Sequence, residues 1–303
     1  MYARKKRPQD DNGNRGQGSP GGRRDPTPWV LRNLEQIDEA QVEGRHEDSL
    51  KQAKKVLKEI EKWSDDDISN RSEVVANLHS CIGNAYLELE EYSFALSHHN
   101  KDNEIATQKD LSDAKSRALD NLGRVHARMG NFEKAIEVWE EKLPMSKSSL
   151  ESTWLYHEIG RCYLEMSDNQ KAKDYGEKSL SAAEEASDDV WQLNACVLIA
   201  QSEVKLGELQ EALDSFEKSL DMAKVQGDSA AEGAIKKALE DVNNRIVSGI
   251  KESGEEGAAN EQNEETQSND YEEDFEKDDE KESGDEKNKD SDKESDHGKK
   301  DDS

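Results

Sequence analysis

The side chains best suited to metal or acid–base chemistry gather at one place. His98 and His99 are adjacent, with His79 and Cys81 a short distance upstream. Imidazole and thiolate bind zinc, but a site needs three or four donors at characteristic spacings. No second His/Cys cluster follows, so these read as interhelix or surface histidines, and neither a metal nor a cofactor is expected. No nucleophile-elbow Gly-x-Ser-x-Gly, phosphate-cradling glycine loop or zinc-type His/Glu pair occurs. The 70 Asp and Glu residues are too abundant for a catalytic carboxylate pair to be chosen by type. The expectation is a protein without an active site. Cys81, Cys162 and Cys196 fall inside apolar helical patterns and read as buried thiols of a reducing, intracellular compartment.

A second set of side chains could bind rather than react. Asn84, Arg124, Arg161 and Gln201 each follow a helical small residue by one position, and Asn77, Arg117, Trp154 and Asn194 lie seven residues before them. Seven residues are two helical turns, so each pair shares a helix face. Arg128, His157 and Lys205, four residues or about one turn from Arg124, Arg161 and Gln201, project nearby. None of the eleven is acidic in a chain of net charge −28, although Glu88, Asp120 and Glu165 flank them. Guanidinium forks and carboxamides suit an extended peptide that bears carboxylates, so these residues are the candidate groove for a protein partner.

The elements that must carry them are clearest in Ala118–Leu143. Leu119, Leu122, Val125, His126 and Met129 recur at three- and four-residue intervals, as do Phe132, Ala135, Ile136, Trp139 and Leu143. Such spacing predicts two amphipathic helices, with Gly130-Asn131 as the turn between them. Gly123 and Ala135 place a small residue on each helix, which lets the pair close as a hairpin. The same two positions recur as Gly83 and Ala95, Gly160 and Ala172, and Ala200 and Ala212, at spacings of 40, 37 and 40 residues. Two positions holding one register predict a stack of repeated helical hairpins. Pro144 ends one second helix early and fits the shorter interval.

Upstream, Thr27-Pro28 reads as a helix start with Thr as N-cap, followed by a degenerate first hairpin. Downstream, Ala231, Ala234, Ile235, Ala238, Leu239, Val242 and Ile246 form one apolar face of a helix suited to cap the stack. The expected organisation is a basic disordered linker over 1–26, a solenoid over 27–250 and an acidic disordered tail over 251–303. Within the solenoid the hairpins fall near 28–63, 70–109, 111–143, 148–186 and 188–226, with the cap over 229–250. The basic run Arg4–Arg7 and the tail aromatics Tyr271 and Phe275 stand out in the flanks. No apolar run is long enough to span a membrane, and none of the secretory type opens the chain. The acidic balance disfavours nucleic acid, whose binding depends on neutralising phosphate.

NLGRVHARMGNFEKAIEVWEEKLP resembles tetratricopeptide repeats of the extended-helix kind. Together with RDPTPWVLRNLEQIDEAQVEGRHEDSL and NLHSCIGNAYLELEEYSFAL, it resembles the tetratricopeptide-repeat subunits of the outer-dynein-arm docking complex over residues 29–250. The resemblance implies an all-α, right-handed superhelix of about five hairpins plus a cap. It also implies a ciliary scaffold joining coiled-coil and armadillo-repeat partners that fix dynein arms to doublet microtubules. A further block of repeats precedes this region in that family, so the chain is expected to correspond to its C-terminal half. A peptide-binding adaptor or co-chaperone outside the axoneme is the alternative expectation.

Overall fold

The computed structural model describes residues 26–64, 67–68 and 70–254. The expectations placed on Arg4–Arg7, on Tyr271 and Phe275, and on disordered termini fall on residues outside that set.

Among the described residues there are α-helices, one short 3-10 turn and no strands. The first hairpin is α1 (Thr27–Val42) with α2 (His46–Ile60), and the second is α3 (Arg71–Glu88) with α4 (Tyr92–Gln108). The third is α5 (Ser112–Arg128) with α6 (Phe132–Lys142), closed by the 3-10 turn Leu143–Met145. The fourth is α7 (Ser149–Glu165) with α8 (Asn169–Ala186), and the fifth is α9 (Asp189–Leu206) with α10 (Leu209–Gln226). The last helix, α11 (Ser229–Gly254), runs four residues past its expected end. At the start of the solenoid, Pro26 rather than Thr27 holds the N-cap position.

The helix ends share one device. Gly44, Glu90, Asp110, Gly130, Ser167, Ser187, Gly207 and Gly227 all adopt positive φ. In each case the following N–H reaches back to a carbonyl five residues earlier, as in Glu91→Tyr86 (2.8 Å), Asn131→His126 (2.9 Å) and Asp188→Ala183 (3.0 Å). This six-to-one bond satisfies an otherwise orphaned helix-end carbonyl and reverses the chain. Among the described residues the connection from α2 to α3 departs from the pattern, as does that from α6 to α7. In the latter, Pro144 lies in a 3-10 turn and no residue takes positive φ.

Hairpins pack into a row of apolar clusters rather than one central core. Val30, Ile37, Val56, Ile60, Leu78 and Ile82 form the first, Ile136, Trp139, Leu155 and Ile159 a middle one, and Leu193, Val197, Phe216, Ile235 and Val242 the last. No hairpin buries its own outer face, so each depends on its neighbours. The register alanines Ala95, Ala135, Ala172, Ala200 and Ala212 are all fully buried.

The register glycines show what the small residue is for. A Cβ on Gly123 would lie 2.7 Å from Trp139 Cδ1 and closer still to two other indole atoms. On Gly83 it would strike the imidazole of His99. The residue sixteen positions later, on the second helix, therefore fills the glycine's space. The fourth hairpin differs, because that position is Gly176. There Leu198 and Ile199 of α9 fill the room beside Gly160 and Gly176, and Gly160 also lies against the Ala172 carbonyl.

Candidate partner-binding site

First helices of successive hairpins approach each other, α1 with α3, α3 with α5 and α7 with α9, more closely than the second helices do. They therefore line the inner side of the curve, where the candidate residues sit. Polar layers cross this side of the stack.

In the first layer His79 Nδ1 and His98 Nδ1 lie 2.9 Å apart, with ring centroids separated by 5.1 Å. One nitrogen donates and the other accepts, which requires at least one neutral ring. Burial, reinforced by the charges of His98 and Lys101, pushes His79 down to about 4. Burial with Lys101 and Lys54 does the same to His98, also to about 4. His99 is fully buried over Gly83, and burial takes it to about 3. These are neutral interhelix packing groups, as the sequence suggests. Among the described residues no three His, Cys, Asp or Glu side chains converge as metal ligands.

In the second layer the fully buried Asp102 accepts from Arg117 Nη2 at 3.0 and 3.4 Å. Ser80 also hydrogen-bonds to Asp102, while its hydroxyl oxygen accepts from Asn121 Nδ2 at 3.0 Å. Burial pushes Asp102 up to about 6 against the pull of Arg117 and Ser80. This network ties α3, α4 and α5 together, and Arg117 belongs to it rather than standing open.

The third layer is built around Trp154. Arg124 lies over its ring at 5.0 Å and Lys142 at 5.4 Å, while Trp139 meets it edge-on at 5.6 Å. Arg124 pairs with Asp120 at 3.4 Å, and Arg161 with Glu158 at 3.7 Å. The buried Lys142 ammonium reaches Glu151 at 3.1 Å and Asp120 at 3.8 Å. Burial pushes Asp120 up. Burial also acts on Glu158, but the charges of Arg161, His157 and Arg124 outweigh it and hold that carboxyl at about 2.

The structure thus gathers Arg124, Trp154 and Arg161 into one patch between α5 and α7. His157 is a correction: it is buried, edge-on to Trp191 at 5.4 Å, and presents no open imidazole. Asn77 and Asn84 on α3, with Asn194 and Gln201 on α9, are half-buried on flanking hairpins. Arg128 and Lys205 are exposed at helix ends. The strip is also not simply basic, since Asp102, Asp120 and Glu158 compensate Arg117, Arg124 and Arg161. Two of these acids lie four and three residues before their arginines on the same helix, a spacing that a seven-residue repeat does not sample.

A further polar layer was not expected from sequence. Lys173 on α8 bonds Glu203 at 3.0 Å and Glu208 at 2.6 Å, and hydrogen bonds to the two carboxylates raise its pKa. The signal was available: Glu203 occupies the slot that holds Tyr86, His126 and Tyr163 in the other copies.

Comparison with known proteins agrees with this geometry. The tetratricopeptide repeat model matches residues 74–148 and 151–225, two blocks that meet at the α6–α7 connection. Solved structures with the same fold include a Podosopora anserina putative kinesin light chain with nearly identical TPR-like repeats. It has a TM-score of 0.55 at 18% identity, over 65% of this chain and 97% of that one. The apo form of RapI gives a TM-score of 0.60 at 14% identity, over 74% and 84%. Curated relatives are far closer in sequence. Outer dynein arm-docking complex subunit 4 of Xenopus laevis is 54% identical over 217 residues, covering 72% of this chain and 41% of the relative. The Homo sapiens protein of that name is 52% identical over 219 residues, covering 72% and 33%. The chain thus spans less than half the length of these relatives.

Proposed function

We propose that this tetratricopeptide-repeat chain, a relative of outer dynein arm-docking complex subunit 4, is a non-catalytic scaffold that helps attach outer dynein arms to ciliary doublet microtubules. The observation that carries the reading is 54% identity over 217 residues to a protein named for that complex. That match covers 72% of this chain, and the geometry offers a long surface of half-buried polar side chains rather than an enclosed reaction site. Its partners are other proteins, and by resemblance these include the coiled-coil and armadillo-repeat subunits of the complex. Neither nucleic acid nor membrane is a partner. Net charge −28 opposes phosphate binding. Among the described residues no helix is long and apolar enough to cross a membrane. The working location is the axoneme, and the consequence of loss is impaired ciliary motility.

Retention in detergent-extracted axonemes of ciliated cells tests this directly. A tagged chain should remain with the docking complex after extraction, and recovery only in the soluble fraction refutes the reading. Within it, we assign partner contact to the patch of Arg124, Trp154 and Arg161, flanked by Asn77, Asn84, Asn194 and Gln201. Arg124→Gln with Arg161→Gln should weaken retention while leaving helical content intact. Unchanged retention would move the interface to the outer face or the ends. The alternative is a peptide-binding adaptor outside the axoneme, favoured by the same arginines beside an aromatic ring. Saturable binding of acidic C-terminal peptides, without axonemal retention, would establish it instead.

A further inference from the structure

Four features coincide between α6 and α7. First, α6 has 11 residues, against 15 or more in every other α-helix described. Second, it gives way to the Leu143–Met145 turn around Pro144, which cannot donate a backbone hydrogen bond, instead of the positive-φ reversal that closes the neighbouring helices. Third, α6 and α7 make the least extensive contact of any consecutive pair of helices, and α5 approaches α7 less closely than α3 approaches α5 or α7 approaches α9. Fourth, beside the apolar cluster of Ile136, Trp139, Leu155 and Ile159 that spans the gap, buried and exposed charges tie its two sides together. Lys142 of α6, paired with Asp120 of α5 on its own side, reaches across to Glu151 of α7 at 3.1 Å, and Lys147 beyond the turn reaches back to Asp113 of α5 at 2.5 Å.

We propose that the solenoid bends at this joint, as two blocks comprising α1–α6 and α7–α11, and that the Lys142 ammonium is the latch that holds it closed. Lys142 is suited to that role because its side chain is only 6% exposed while two carboxylates and the Trp154 ring surround its charge. Breaking one partner of such a buried group leaves the remaining charges uncompensated, so the arrangement favours discrete closed and open states over gradual flexing. Opening would separate Arg124 on α5 from Trp154 on α7 and uncover the ring face that the guanidinium covers. The bend is independent of what binds there.

Spin-label distance distributions on the full chain test it. The pair Asn100→Cys and Glu177→Cys, on exposed positions of α4 and α8, crosses the joint. The pair Lys55→Cys and Glu137→Cys, on α2 and α6, spans the same number of hairpins without crossing it. The crossing pair should give the broader distribution in the otherwise unaltered chain. Lys142→Met should broaden it further while leaving the control pair unchanged, and Lys142→Arg should restore the narrower form. Equal widths for the two pairs in the unaltered chain overturn the proposal, whether or not Lys142→Met folds. A Lys142→Met change that broadens both pairs alike removes the latch role.

Discussion

Gly123→Ala and Gly233→Ala are the same chemical change with opposite expected signs. Both residues lie inside helices, where Ala is favoured over Gly by about 1 kcal/mol. At Gly233 on α11 an added Cβ meets nothing within 4 Å, so the full propensity gain should appear. At Gly123 the Cβ falls among the indole atoms of Trp139, 2.7 Å from Cδ1. That ring is fully buried and held edge-on by Trp154 at 5.6 Å, so it has little room to retreat. Forcing an atom into such a site costs about 1–3 kcal/mol, and a rigid ring places it near the upper end. Subtracting the propensity gain leaves a net loss of about 2 kcal/mol, against a gain of about 1 kcal/mol at Gly233. Urea denaturation followed by circular dichroism should move the two midpoints in opposite directions. Adding Trp139→Leu should relieve most of the Gly123→Ala penalty in a double-mutant cycle, because it removes the opposing atoms. A Gly123→Ala protein as stable as the unaltered chain, or additive behaviour with Trp139→Leu, would refute the assignment of this glycine to close ring contact.

Glu90, Asp110, Ser167 and Ser187 hold left-handed backbone without glycine's freedom, so each change to Gly should raise stability by about 1 kcal/mol in the same denaturation assay. Acidification should destabilise the second hairpin. His79, His98 and His99 titrate well below the ordinary value of 6.5, so between about pH 6.5 and 4 the unfolded chain binds protons that the folded chain refuses, and stability falls. Asp102 acts in the opposite sense, since its raised value near 6 lets the folded form take up a proton first. Three histidines should outweigh one carboxyl, and a thermal midpoint that does not fall between pH 7 and pH 5 would contradict this. The three cysteines are buried, with Cys81 and Cys162 pushed up to about 12 by burial. They should resist a thiol-specific chromogenic reagent until denaturant is added.

The hairpin register was legible because it depends on local periodicity and small residues, both written along the chain. Gly83, Gly123 and Gly160 could be found that way, but their opposing groups could not. His99 and Trp139 answer to distance across a helix pair, and nothing in the pattern distinguishes them from other apolar-face residues. The candidate strip was legible as a helix face but not as an electrostatic environment. Asp102 arrives from the preceding second helix to meet Arg117, and Trp191 arrives from the next hairpin to cover His157. Both depend on how one hairpin seats on another. The αL positions at Glu90, Asp110, Ser167 and Ser187 escaped notice because turn chemistry points to Gly or Asn there, and the tertiary stack imposes the geometry on residues that disfavour it.

The way each glycine slot is filled also divides the hairpins into those whose internal fit is complete and those whose fit is completed by the next hairpin. The second and third hairpins carry their own fillers, His99 and Trp139, so each brings both halves of its fit wherever it goes. The fourth borrows Leu198 and Ile199 from α9. A chain ending at Ala186 would therefore present two open notches at Gly160 and Gly176. Repeats could be exchanged or duplicated at the second and third hairpins as single pieces, whereas α7 to α10 must be inherited together.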